Sequence, residues 1–283
     1  MMAILIKGKE LSQKIQENIK NEILNFGFKP AIAVIILGNN PASKVYVSKK
    51  QEAAQKAGIN SFVIELEENI TQSELEEKIE SLNQDKNINA VLVQLPLPKH
   101  INTYDIIQKI LPIKDVDGFH PINAGRLSIG IKPYAVSCTP AGIIKLLEEY
   151  KIDIEAKNAV IVGRSNIVGK PLACLLLNKN ATVTICHSKT KNLKDIARQA
   201  DILVAAVGSP EFIKEDFVKQ GAVVIDVGIN RTEEKKLVGD VDFKNIEPKS
   251  SYITPVPGGV GPMTIAMLLL NTLNLYKLQT ERK

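Results

Sequence analysis

Along this chain, short apolar runs alternate with longer stretches in which apolar residues recur every three or four positions. Runs of four to eight apolar residues read as buried parallel strands, and the helical period reads as helices with one buried stripe. Ala3–Ile6 is a candidate edge strand. From Lys9 to Asn25, Leu11, Ile15, Ile19 and Ile23 recur every four residues and predict an amphipathic helix. Pro30–Leu37 (PAIAVIIL) reads as a central strand, closed by the turn Gly38-Asn39-Asn40-Pro41. A helix is expected from Ser43 to Ala57 and a strand over Phe62–Leu66. Thr71 and Glu74 have the spacing of a capping box opening a helix that buries Leu75, Ile79 and Leu82. Ala90–Leu95 is another strand, closed by Pro96 and Pro98.

The second half repeats the alternation. Ala141–Tyr150 reads as a helix linking two domains, after Ser137-Cys138-Thr139-Pro140. Strands are expected over Ala159–Val162, Thr182–His187, Ile202–Val207 and Ala222–Val227, and helices over Val168–Leu177 and Leu193–Gln199. Glycines follow the strands at Gly163, Gly208 and Gly228. Three glycines and three prolines between Pro255 and Pro262 predict a rigid loop, and Thr264–Lys277 a last amphipathic helix packed on the first domain. Alternating strands and helices imply α/β architecture with right-handed crossovers. The expected domains are residues 1–138 with 264–283, and residues 139–263 as a Rossmann-like doubly wound parallel sheet.

The stretch AVIVGRSNIVGKPLACLLL (159–177) has the strand, glycine turn and helix start of a dinucleotide site, with Pro171 in the first helical turn. Ser165 stands where a second glycine is expected, and the next glycine is Gly169. On its own such a turn could also be a tight connection that binds nothing. The following strand ends in His187-Ser188-Lys189, without the carboxylate that would grip the ribose of NAD. A cation, Arg164, and a hydroxyl in place of that acid point to NADP.

Composition narrows the field. The chain has 283 residues, 45% of them hydrophobic and 24% charged, with no long apolar run and no signal-peptide pattern at its start. Cys138, Cys174 and Cys186 lack metal-type or paired spacing, so reduced thiols in a cytoplasmic protein are expected. The net charge of +5 comes from scattered lysines, and only 5% of residues are aromatic, which argues against nucleic-acid binding. His100, His120 and His187 show no ligand spacing, so no metal site is read.

Three places in the first half are too polar for scaffold alone. Tyr46 and Lys50 share one helix face, where a phenol and an ammonium could hold and protonate a substrate, although a surface helix with a stray tyrosine has the same spacing. Gln94 ends an apolar strand, where open parallel sheets collect their ligands. Asp115-Val116-Asp117-Gly118 could bind a cation or the edge of a guanidine-like ring, or be an exposed turn. Tyr-x-x-x-Lys is also the short-chain dehydrogenase pair, but there the cofactor turn comes first; here Tyr46 precedes Gly163, which excludes that reading.

With ASKVYVSKK, VQLPLP, KDVDGFHPINAGRL, CTPAGI, VGRSNIVGKP, ATVTICHSKT, VIDVGIN and TPVPGGVGPMT in this order, the chain resembles bifunctional methylenetetrahydrofolate dehydrogenase/methenyltetrahydrofolate cyclohydrolase along nearly its whole length. The resemblance implies a folate-binding catalytic domain (1–138 with 264–283), an NADP-binding domain (139–263) and a homodimer acting on tetrahydrofolate derivatives in one-carbon metabolism that feeds purine biosynthesis. It implies that Lys50 is the catalytic lysine, that Tyr46 packs on the folate, that Gln94 orients Lys50 and that Asp117 holds the pterin edge. Val93, Leu95, Pro257, Gly258, Gly259, Val260 and Gly261 would line the folate site, and Gly163, Arg164, Ser165, Ser188 and Ile229 would contact NADP. A shikimate-type NADP dehydrogenase shares the layout but has no need of the PVPGGVG loop. A silent nucleotide-binding module would have no need of Lys50 and Asp117.

Overall fold

The computed structural model describes residues 2–232 and 236–280. The first half of the chain forms β1 (Ile4–Leu5), α1 (Gly8–Phe26), β2 (Ala31–Leu37), α2 (Pro41–Lys56), β3 (Asn60–Leu66), α3 (Gln72–Gln84), β4 (Ala90–Val93), α4 (Thr103–Lys109) and α5 (Pro121–Ser128). The second half forms α6 (Cys138–Glu149), β5 (Asn158–Val162), α7 (Gly169–Leu177), β6 (Thr182–Cys186), α8 (Leu193–Ala197), β7 (Ile202–Ala205), β8 (Val223–Asp226), β9 (Asn230–Arg231), β10 (Leu237–Val238), α9 (Phe243–Ile246), β11 (Tyr252–Ile253) and α10 (Val260–Thr280). Contacts divide the chain into two units, one of Lys14–Ser137 with Ile265–Lys283 and one of Met1–Gln13 with Cys138–Thr264.

The unit that begins at Lys14 is built on a parallel sheet in the order β3-β2-β4. Central β2 is buried at all seven positions, which is why its sequence is apolar without alternation. Leu75 and Ile79 of α3 and Ile106 of α4 close one face over Ala33, Ile35 and Val91. The capping box forms: Thr71 Oγ1 accepts from the Glu74 amide at 3.2 Å, and the Thr71 amide donates to Glu74 Oε2 at 2.8 Å. Neither α4 nor α5 carries a long apolar period. Asn102 and His120 start them by accepting the amides of Tyr104 and Ile122.

The other unit is a six-stranded parallel sheet in the order β1-β11-β8-β7-β5-β6. Residues 1–13 therefore depart from the expected domain of 1–138: β1 hydrogen-bonds along β11, pairing Ile4 with Tyr252 and Leu5 with Ile253. It is indeed an edge strand, but of the second sheet. Helix α6, expected as a link, is core, with Ile143, Ile144, Leu146 and Leu147 buried. Helix α10 begins at Val260, so part of the expected rigid loop is its first turn. It is not the amphipathic helix expected, because only Asn274 and Thr280 along it are exposed.

Candidate active site

In the first unit the site grows from the C-terminal end of the small sheet. Helix α2 carries Tyr46 and Lys50 one turn apart, and the Lys50 ammonium lies 4.5 Å from the centre of the Tyr46 ring. Lys50 is only 7% exposed. β4 hands its ladder on to Gln94, whose amide donates to Ile35 O at 2.8 Å. The Gln94 side chain then accepts from Lys50 Nζ at 3.1 Å and donates to Leu95 O at 2.7 Å. The second bond fixes which end of the amide faces the lysine. Val93 is buried in the sheet core, so its side chain is scaffold; Leu95 is half-buried.

The segment Asp115–Asp117 runs beside β4, with Asp115 bridged to Val91. Its two acids behave differently. Asp115 turns inward and accepts from Asn123 Nδ2 and the His120 amide, both at 2.8 Å. Burial pushes its carboxyl above the ordinary range, and these donors pull it partly back. Asp117 is half-buried and lies two residues further along the segment. Asn271 of α10 donates to both Val116 O and Val136 O at 2.9 Å and pins the segment from behind. Asn271 has no sequence signature of its own.

In the second unit β6 lies on one side of β5, and β7, β8, β11 and β1 follow on the other. That reversal makes a switch-point crevice outside the ends of β5 and β7, the usual dinucleotide position. Gly163 lines it at φ +138°, and a Cβ there would lie 2.1 Å from Ala206 O. The helix start differs from the expected phosphate cradle. Ser165 Oγ accepts from the Val168 and Gly169 amides at 3.1 and 3.3 Å, and Ser165 O accepts from Lys170 N at 3.1 Å. With Pro171 next, the first-turn donors of α7 are filled by the chain itself. Arg164 and Ser188 stand exposed beyond the paired ends of β5 and β6, with no carboxylate following Cys186 until well past that turn.

The loop Pro257–Gly261 is built in this same unit. The Gly258 carbonyl accepts from the Lys9 amide at 3.1 Å. A Cβ on Gly261 would lie 3.2 Å from Ile229 Cδ1, so the loop implied for folate adjoins the residue implied for NADP. Ile229 is 62% exposed.

The family model for the catalytic domain of tetrahydrofolate dehydrogenase/cyclohydrolase matches residues 6–117, and that for its NAD(P)-binding domain matches residues 137–280. The chain belongs to this family. It is 56% identical over 286 residues to the bifunctional protein FolD of Acetivibrio thermocellus, covering 100% of both chains. A crystal structure of the bifunctional enzyme FolD from Campylobacter jejuni superposes with a TM-score of 0.96 at 52% identity, covering 98% of this chain and 99% of that one. The Trypanosoma brucei FolD, solved with NADP cofactor and an inhibitor, is similar at a TM-score of 0.94 and 39% identity, covering 99% of each chain. As a tetrahydrofolate dehydrogenase/cyclohydrolase the chain has a catalytic and an NAD(P)-binding domain, and among the described residues no helix is long and apolar enough to cross a membrane.

Proposed function

We propose that this tetrahydrofolate dehydrogenase/cyclohydrolase oxidises 5,10-methylenetetrahydrofolate to 5,10-methenyltetrahydrofolate with NADP, then hydrolyses the product to 10-formyltetrahydrofolate. The observation that carries the reading is the Lys50 amine, buried over Tyr46 and tethered at 3.1 Å to Gln94. A buried amine that donates to an amide oxygen beside an aromatic ring is placed to move a proton at a substrate packed on that ring.

When bound, NADP supplies the hydride acceptor. The chain's part in that step is positioning, because hydride transfer needs donor and acceptor ~3–3.5 Å apart. Arg164 and Ser188 bind the 2′-phosphate, Gly163 and Ser165 shape the turn beneath the cofactor, and Ile229 packs against it. Since α7 offers no free first-turn amide, charge rather than a backbone cradle carries recognition here. Tyr46 packs on the folate, and Asp117 accepts two hydrogen bonds from the amino-pyrimidinone edge. Val93 and Leu95 contribute backbone and Pro257, Gly258, Gly259, Val260 and Gly261 line the folate. Hydrolysis adds water to the methenyl carbon. Lys50 Nζ relays to N5 the proton that water loses on forming the hydroxyl adduct, the C–N5 bond breaks, and the adduct's hydroxyl proton leaves to solvent as the formyl C=O forms, while Gln94 keeps the amine aimed.

The protein acts in the cytoplasm as a homodimer. β3 supports the dimer: it is a seven-residue edge strand that, among the described residues, pairs with β2 alone, and Phe62 on it is 52% exposed. A long uncovered edge favours pairing with a second chain. The test of function is a spectrophotometric assay of methylenetetrahydrofolate with NAD and with NADP, followed by methenyl decay. Methenyl formation preferring NADP is expected; no oxidation with either nucleotide overturns the reading.

A further inference from the structure

Beneath the switch-point crevice lie two buried carboxylates that none of the roles above uses. The amides of Val207, Gly208 and Ser209, just beyond β7, all donate to Asp240, at 2.7, 2.9 and 3.0 Å. Asn230 Nδ2 adds a fourth bond to the same carboxylate at 2.9 Å. Asp240 is itself fixed by Asp226 at the end of β8. Asp226 Oδ1 accepts from the Asp240 and Gly228 amides at 2.8 and 2.9 Å, and Oδ2 accepts from Val241 N at 3.1 Å. The Asp226 amide in turn donates to Thr254 Oγ1 at 2.7 Å, one residue before the proline-glycine loop.

The fit is close. A Cβ on Gly239 would lie 1.7 Å from Asp226 Oδ2, and one on Gly228 would lie 2.3 Å from Asp240 Oδ1. Asp226 is 2% exposed and Asp240 wholly buried, and the bonds given to both carboxylates come from amides and one asparagine rather than from a cation. Buried charges without a counter-ion are expensive, so a plain scaffold would use apolar residues here. What the two carboxylates achieve is a backbone with its donors all turned inward over Val207–Ser209 and a fixed turn at Gly228-Ile229.

The location says which part of the cofactor is affected. The residue after the second strand reads the adenosine ribose, which places adenosine over β6. The nicotinamide half then extends to the β7 and β8 side, where these loops and Ile229 stand. Resting on the NADP-dependent oxidation proposed above, we propose that Asp240 and Asp226 are positioning residues that hold the crevice wall against the nicotinamide half. They act on the hydride step and leave hydrolysis alone.

The experiment compares wild type, Asp240→Asn and Asp226→Asn. Whichever way the new amide at 240 turns, its NH2 group faces amide donors, so part of the wall is released without a change in volume. Kinetics of methylene oxidation are measured with protiated and methylene-deuterated substrate, beside methenyl hydrolysis without nucleotide. Asp240→Asn is expected to lower the oxidation kcat by ~10- to 100-fold, the scale of a misplacement near 1 Å. KM for NADP should stay within about threefold and hydrolysis within about twofold, while the deuterium isotope effect rises because hydride transfer has become limiting. Asp226→Asn, one step removed, should shift the same quantities in the same direction by less. Unchanged oxidation overturns the proposal. So does an equal loss of both activities, which marks a merely structural role, or a rise in KM alone, which marks affinity. A wild type that does not oxidise methylenetetrahydrofolate overturns the functional reading itself, and is told apart by needing no variant.

Discussion

Replacing Lys50 by methionine separates the two activities. The stem keeps its length and its packing, and only the ammonium goes. The residue is 7% exposed, and its Nζ donates to Gln94 Oε1 at 3.1 Å and lies 4.5 Å from the centre of the Tyr46 ring. A charge-assisted hydrogen bond contributes ~1.5–3 kcal/mol and a cation–π contact ~0.5–2 kcal/mol, against a desolvation penalty of several kcal/mol for a buried ion. These nearly cancel, so the folded protein should melt within a few degrees of wild type. Catalysis has no such offset. Loss of the proton relay should slow methenyl hydrolysis by at least ~10²-fold, equivalent to ~2.7 kcal/mol of barrier. Oxidation should fall less, because there Lys50 only helps to orient the folate. The assay follows direct methenyl hydrolysis, corrected for the spontaneous reaction, and methenyl accumulation during oxidation by the same sample. Hydrolysis at the wild-type rate by a folded Lys50→Met protein would refute the relay.

Arg164→Ala should raise KM for NADP by ~10- to 100-fold while changing KM for NAD little, the scale of one charge-assisted hydrogen bond; equal effects on both would show that Arg164 does not read the phosphate. Asn271→Ala removes two bonds behind the Asp117 segment and should lower stability by ~2–3 kcal/mol and raise KM for the folate, read by denaturant unfolding and by kinetics. Asp226 gives a pH signature. Burial raises its carboxyl from 3.8 to about 6 in the folded protein, so its contribution is complete below pH ~4 and is lost as pH climbs through ~6, ~3 kcal/mol at most. The melting temperature of wild type should therefore decline relative to Asp226→Asn between pH 4 and 7, and parallel curves would contradict the assignment.

The strands were legible because burial on both faces writes β2, β4, β5, β7 and β8 as unbroken apolar runs. The partner of β1 was not, since two residues carry no register. Spacing placed Tyr46 and Lys50 on one face, but only the fold brings Gln94 to the lysine. Sequence could not say which of Asp115 and Asp117 turns inward, because identical residues two apart are told apart by the donors, Asn123 and the His120 amide, that the fold brings to Asp115. Ser165 was visible as a hydroxyl in place of glycine; that it caps α7, filling the phosphate cradle, depends on a turn that no period encodes. The acid ending the apolar run VVID was an available hint to Asp226.

The pairing of β1 with β11 has a consequence for synthesis. Ile4 and Leu5 meet Tyr252 and Ile253, so the first strand made waits for nearly the whole chain to emerge from the ribosome. The unit of Lys14–Ser137 likewise lacks its last helix until Ile265 onward has been translated. Neither unit is contiguous, and neither can be completed while the nascent chain is short. Contacts between partners so far apart in sequence form late and slowly. A gene cut between residues 137 and 138 would give two fragments, each missing a piece carried by the other.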